Sequence, residues 1–200
     1  MRIGIFGGTF DPPHLGHLIL AERCREAAGL DEVWFLPSFQ PPHKLERTMS
    51  RFEARCDMVA LAAIGQPAFK VERIESELPP PSYTAETLRV LKRRHPSHDF
   101  QLIVGGDSLA DLPIWYHPER IVAQAGLIAA ARPGVILPTA NELAQKIKVP
   151  ESEIRLQVIE SPLVDLSSTE IRRRVAEGRS IRFLVPRSVE EFIREKRLYS

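Results

Sequence analysis

The sequence predicts an α/β protein, a Rossmann-like doubly wound parallel sheet with helices on both faces and a small C-terminal helical piece. Three observations carry this. Short apolar runs alternate with helical periodicity along the chain, the pattern of parallel strands joined by helical crossovers. The runs are apolar almost throughout, as strands covered on both faces are. The stretches rich in glycine, proline and histidine follow strands one, two and four, where such a sheet binds ligands.

The elements read in order as follows. Arg2–Phe6 is a strand and Leu15–Ala28 a helix ended by Gly29. Val33–Leu36 is the second strand, followed by the proline-rich loop Pro37–Met49. Ser50 is placed to cap a helix over Arg51–Ile64, with Glu53 completing a capping box. Phe69–Ile74 is the third strand, Glu77–Ser82 a rigid proline loop and Tyr83–Arg94 a helix. Asp99–Val104 is the fourth strand, with Gly105-Gly106-Asp107 directly behind it, and short helical pieces run to Gln124. Leu127–Ala131 is the fifth strand, Asn141–Ile147 a helix and Ile154–Ile159 the sixth strand. Ser167 caps a helix over Ser168–Glu177, with Glu170 in a second capping box. Val189–Lys196 is the last helix. We expect one domain over residues 1–200, with residues 165–200 forming the helical piece.

The composition narrows the function classes. A chain of 200 residues buries a core without disulfide staples. A net charge of +1 supplies no global field for nucleic acid or an anionic membrane, so phosphate binding has to come from local features. No apolar run reaches membrane-spanning length, and the N-terminus lacks signal-peptide architecture. The two cysteines, Cys24 and Cys56, fall in helical stretches and read as small buried side chains. The expectation is a cytoplasmic protein without nucleic-acid or membrane partners; a homo-oligomer stays open.

The opening motif is GGTFDPPHLGH, Gly7 to His17. Gly7 and Gly8 would let the backbone turn sharply and a phosphate approach. Pro12 and Pro13 suit the first positions of a helix, whose N-terminus attracts anions. His14 and His17 would share one helix face and donate hydrogen bonds to phosphate oxygens, bonds that strengthen as charge builds. Metal ligation and a purely structural role remain as alternatives. The spacing is unlike the usual helical zinc pair, and no third ligand is evident.

Four other stretches carry candidates. His43 and Lys44 stand on the proline-stiffened loop and could aim a cation at a polyphosphate. In SSTEIR, capping explains Ser167 and Glu170, which leaves Ser168, Thr169 and Arg172 to face a second anion. Gly105 and Asp107 suit a ribose hydroxyl or a metal-bound water; a tight turn is the plain alternative. Trp115 and Tyr116 would stack on a flat ring if exposed, although a core tryptophan is the commoner case.

Together these stretches resemble one family. HLGH and SSTEIR look like the paired signatures of HxGH nucleotidyltransferases. GGTFDPPH, PPHK, SYTAETL, GGDSL with LPIW, RPG and LVPRSVEEFI resemble, in that order, bacterial-type nicotinate-mononucleotide adenylyltransferases. Gly106 departs from the pattern, where alanine is expected. The resemblance implies adenylyl transfer from ATP to nicotinate mononucleotide, with Mg²⁺ on the polyphosphate. Nicotinamide mononucleotide or another phosphorylated acceptor is the alternative. It implies His14 and His17 on the triphosphate and Lys44 and Arg172 on outer phosphate oxygens. Gly7, Gly8, Thr9 and Phe10 would line the site; Ser168 and Thr169 would sit near ATP. Trp115 would stack on the pyridine ring, with Thr84 and the backbone near Tyr116 at its carboxylate. No metal ligand is assigned to the protein itself.

Overall fold

The computed structural model describes residues 1–41, 49–131, 135–162 and 164–200. Its six strands are β1 (Arg2–Gly8), β2 (Glu32–Pro37), β3 (Phe69–Val71), β4 (Asp99–Gly105), β5 (Gly126–Ala131) and β6 (Leu156–Glu160). They form one sheet in the order β3-β2-β1-β4-β5-β6, with every pairing parallel. The order reverses between β1 and β4, which lie side by side. Loops leaving these two strands diverge to opposite faces and open a crevice at their carboxyl ends.

The helices are α1 (Leu15–Ala27), α2 (Phe52–Ala62), α3 (Thr84–Arg94), α4 (Gly106–Asp111), α5 (Pro118–Gln124), α6 (Ala140–Ile147), α7 (Ser168–Ala176) and α8 (Arg187–Glu195). Alternating strand residues divide the core. Ile3, Ile5, Phe100 and Leu102 meet Leu88 and Leu91 of α3 and Ile121 of α5 on one face. Phe6, Val33, Phe35 and Ile103 meet Ala21 and Cys24 of α1 on the other. A third cluster joins Met58 and Ala62 of α2 to Ile171 of α7 and to Val189 and Ile193 of α8. The helices of residues 165–200 are therefore seated on α2 rather than on the sheet.

Several boundaries differ from the sequence reading. Ser50 does not cap α2: its N–H donates to the Asp11 carboxylate, and Arg51 stands at the N-cap without a side-chain bond. β3 stops at Val71 because Glu72 turns back to accept from the Ile74 N–H and starts a 3₁₀ turn over Ile74–Glu77. β6 begins at Leu156, after a 3₁₀ turn over Glu151–Glu153. Both cysteines are free and buried. Burial pushes the Cys24 thiol up to about 12 and Cys56 to about 11, so both remain inert thiols at neutral pH.

Candidate active site

A cleft of about 480 Å³ opens at the carboxyl ends of β1 and β4. One wall is the loop from β1 to α1. Gly7 and Gly8 do not make its turn: they extend β1 and pair with Leu36 and Pro37. The chain turns at Phe10, whose φ of 50° is in the left-handed region. Its ring packs edge-on against Phe6 and His17.

His14 is the N-cap of α1, and His17 lies one turn on. Their rings stack with centroids 3.7 Å apart and planes at 24°. The His14 backbone N–H donates to Nδ1 of His17 at 3.1 Å. That nitrogen is then an acceptor, so neutral His17 carries its proton on Nε2. Burial lowers His14 to about 4; burial, and the nearby His14, hold His17 well below the usual histidine range. Two stacked imidazolium ions would repel and lack solvation, so the pair is neutral at pH 7. Nδ1 of His14 is buried and has no partner among the described residues.

The amides of α1 are less available than its sequence suggests. The Leu15 N–H donates to Leu184, and the His17 N–H to the His14 carbonyl. The imidazoles therefore carry most of the donor capacity on this wall.

The opposite wall is the start of α7. Ser167 accepts from the Glu170 N–H at 3.2 Å, while the Glu170 carboxylate binds Arg173 instead of returning to the cap. The box is half-formed for that reason. Ser168, Thr169 and Arg172 all face the cleft. The Ser168 hydroxyl donates to the Pro12 carbonyl at 2.8 Å, and Nη1 of Arg172 to the Asp11 carbonyl at 2.7 Å. SSTEIR and the histidine loop are thus bonded to each other although widely separated in sequence.

Thr9, Phe10, Gly105 and exposed Asp107 also line the cleft, whereas Gly7 and Gly8, held in β1, do not. The acceptor candidates lie elsewhere. Tyr116 stacks on Tyr83 at 4.1 Å beside a second cavity of about 250 Å³, at the proline loop and α3. Trp115 is half-buried against the core, and Thr84 is the first residue of α3; neither lines either cavity. His43, Lys44 and the RPG segment lie outside the described residues.

Sequence reasoning missed three supports. A Cβ at Gly16 would meet the His14 ring at 3.1 Å, so the glycine of HLGH makes room for the imidazole. Arg55, 1% exposed, donates to the Thr9 and Ser50 carbonyls. Asp11, 3% exposed, accepts from Tyr199 and Ser50. Only Gly16 left a signal, its place between two histidines.

A family profile described as cytidylyltransferase-like matches residues 5–174. A protein of Exiguobacterium sibiricum named probable nicotinate-nucleotide adenylyltransferase is 44% identical over 200 residues, all of both chains. One of the same name from Thermus thermophilus is 44% identical over 199 residues, all of both chains. The chain belongs to the nicotinate-nucleotide adenylyltransferases of the cytidylyltransferase-like family. Among solved structures, a Plasmodium falciparum nicotinic acid mononucleotide adenylyltransferase complexed with NaAD matches with a TM-score of 0.79, 20% identity and coverage of 99% and 97% of the two chains. At that identity the likeness establishes the shared Rossmann-like fold. No helix among the described residues is long and apolar enough to cross a membrane.

Proposed function

We propose that this adenylyltransferase joins the adenylyl group of ATP to nicotinate mononucleotide, giving nicotinate adenine dinucleotide and pyrophosphate in NAD biosynthesis. A phosphate oxygen of the mononucleotide attacks the α-phosphorus in line. The bond from that phosphorus to the bridging oxygen breaks, and pyrophosphate leaves with the electron pair. No side chain becomes covalently attached, so catalysis is positioning and charge stabilisation.

The observation that carries this reading is the stacked, neutral His14–His17 pair facing the hydroxyls of α7 across one cleft. A neutral imidazole still carries one N–H to donate. His17 offers Nε2–H because its Nδ1 accepts from the His14 N–H; His14 offers its second nitrogen. These bonds strengthen as charge accumulates on the non-bridging oxygens. Thr169 and the remaining donors of Arg172 would hold the outer phosphates from the opposite wall, with Lys44 a further candidate; Ser168, its hydroxyl proton on the Pro12 carbonyl, would sit near ATP and hold the loop. Gly7, Gly8, Thr9 and Phe10 would border the nucleotide, Gly105 and Asp107 its ribose.

Asp11 is committed to Tyr199 and Ser50, so Asp107 is the cleft carboxylate open to a cation. One carboxylate with phosphate oxygens suits Mg²⁺, which keeps several waters and avoids all-protein cages. Bound on the triphosphate, it would neutralise charge there.

Trp115, Thr84 and the backbone near Tyr116 are proposed to receive the pyridine ring and its carboxylate, next to the second cavity. Donors set for an anion lose a charge-assisted partner with the neutral amide. The test compares kcat/KM for nicotinate mononucleotide, nicotinamide mononucleotide and pantetheine phosphate, each with ATP. Preference for the first supports the reading; preference for either other acceptor overturns it.

A further inference from the structure

The Thr9–Pro12 loop is held at the Thr9, Asp11 and Pro12 carbonyls, and its one carboxylate is held from residues far along the chain. Thr9 accepts from Arg55 at 2.8 Å, Asp11 from Arg172 at 2.7 Å and Pro12 from Ser168 at 2.8 Å. Of the Asp11 carboxylate oxygens, Oδ2 accepts from the Ser50 N–H at 3.2 Å and Oδ1 from the Tyr199 hydroxyl at 2.6 Å. The first three contacts use groups on helices that already form walls or supports of the cleft. Tyr199 is on none of them.

Its placement is specific. After α8 the chain folds back, with the Lys196 N–H on Phe192 and the Leu198 N–H on Ile193. Arg197 and Tyr199 both take left-handed backbone, at φ 49° and 67°, which non-glycine residues rarely adopt. The surrounding contacts hold them there, and such outliers cluster where a structure enforces a geometry. The outcome is a half-buried ring against the third hydrophobic cluster, beside Met58, with its oxygen on Asp11.

Asp11 adjoins Phe10, whose ring meets that of His17 with centroids 5.0 Å apart. Three residues beyond Asp11, the His14 N–H sets the His17 tautomer. A contiguous path of bonded and packed groups therefore runs from the Tyr199 hydroxyl to the reacting imidazole.

We propose that Tyr199 is a positioning residue for the transfer: by holding Asp11, it fixes the loop that sets the His14–His17 pair. The inference builds on the adenylyltransferase reading and adds a residue to it.

Tyr199→Phe removes one oxygen and keeps the ring. We expect kcat to fall by about tenfold, below the roughly hundredfold cost of a 1 Å misplacement, with KM for ATP within twofold. Asp11→Ala/Tyr199→Phe should match Asp11→Ala alone in kcat, because the tyrosine acts through the aspartate. In the protein without substrates, ¹⁵N spectra of the imidazoles should show His17 losing its single Nε2–H tautomer in Tyr199→Phe. The spectra need no turnover, so they decide the matter even if wild type is inactive on nicotinate mononucleotide, which would instead defeat the functional reading. An unchanged kcat with only a lower melting temperature, additive losses in the double variant, or unaltered histidine signals would each overturn the proposal. Should Tyr199→Phe fail to fold, the spectra of Asp11→Ala, which removes the acceptor of the same bond, decide: loss of the single His17 tautomer supports the proposal, wild-type-like His17 signals overturn it.

Discussion

The backbone N–H of His14 donates to Nδ1 of His17 at 3.1 Å, and that bond assigns the His17 proton to Nε2. A group set up in this way works mainly when charge develops on the phosphate. We expect His17→Ala to lower kcat by roughly 10²–10³-fold, the range for losing one preorganised donor. KM for ATP should stay within a few-fold. His17→Gln, which reaches toward the Nε2 position, should retain more activity than His17→Asn. Steady-state kinetics on the three variants check this, and a rise in KM with kcat intact would make His17 a binding residue only.

The same burial has a pH signature. The folded His14 is lowered to about 4 while the unfolded chain keeps the ordinary value of about 6.5. Above pH 6.5 both states are neutral and His14 contributes no pH dependence. Between about 6.5 and 4 the unfolded chain binds a proton that the folded chain refuses, so stability falls with pH. Below about 4 both are charged and the slope vanishes. His17 acts in the same direction. Thermal melts should show the ligand-free protein losing stability from pH 6.5 to 4. The loss should be smaller in His14→Gln by up to about 3 kcal/mol, the linkage value of that shift.

Gly16→Ala separates folding from function. Alanine in place of a helical glycine favours folding by up to about 1 kcal/mol. Its Cβ, however, would reach 3.1 Å from Nδ1 of His14 and 3.4 Å from Val164. The ring has to move off its stack. We expect a melting temperature equal to or above wild type together with a kcat reduced by about tenfold. Calorimetry and turnover on one preparation check it; a parallel fall of both would contradict it.

Gly106 offers the opposite case. An added Cβ there meets the Cδ2 of Leu137 at 2.8 Å, the far end of a flexible side chain, and stands at ordinary contact distance, 3.7 Å, from the Ala130 carbonyl oxygen. Gly106→Ala should therefore shift the melting temperature by no more than about 4 °C, the equivalent of about 1 kcal/mol in a chain of this size. Adding Leu137→Ala should remove whatever clash remains, which a double-mutant cycle of melting temperatures measures.

The sheet was legible because its four central strands are buried on both faces and read as apolar runs; β1, β4 and β5 differ from expectation by one or two residues. α7 was legible from Ser167, which does cap it. Ser50 looked the same, yet its N–H is engaged by Asp11, a partner distant in sequence. A box that does close, Thr139 with Glu142, lies in a stretch with no chemistry to draw attention to it. Among site residues, His14, His17, Ser168, Thr169 and Arg172 converge on one cleft, as the motifs imply. The anchors Arg55 and Tyr199 sit in unremarkable helical and polar contexts; only their long-range bonds to the loop reveal them.

The most direct measurement is turnover of wild-type enzyme with ATP, Mg²⁺ and nicotinate mononucleotide, following pyrophosphate and dinucleotide together. We expect equal amounts of pyrophosphate and nicotinate adenine dinucleotide, with formation of both reduced by orders of magnitude in His14→Ala/His17→Ala. Absence of turnover by the folded wild-type enzyme, or wild-type rates in the double variant, would contradict this expectation.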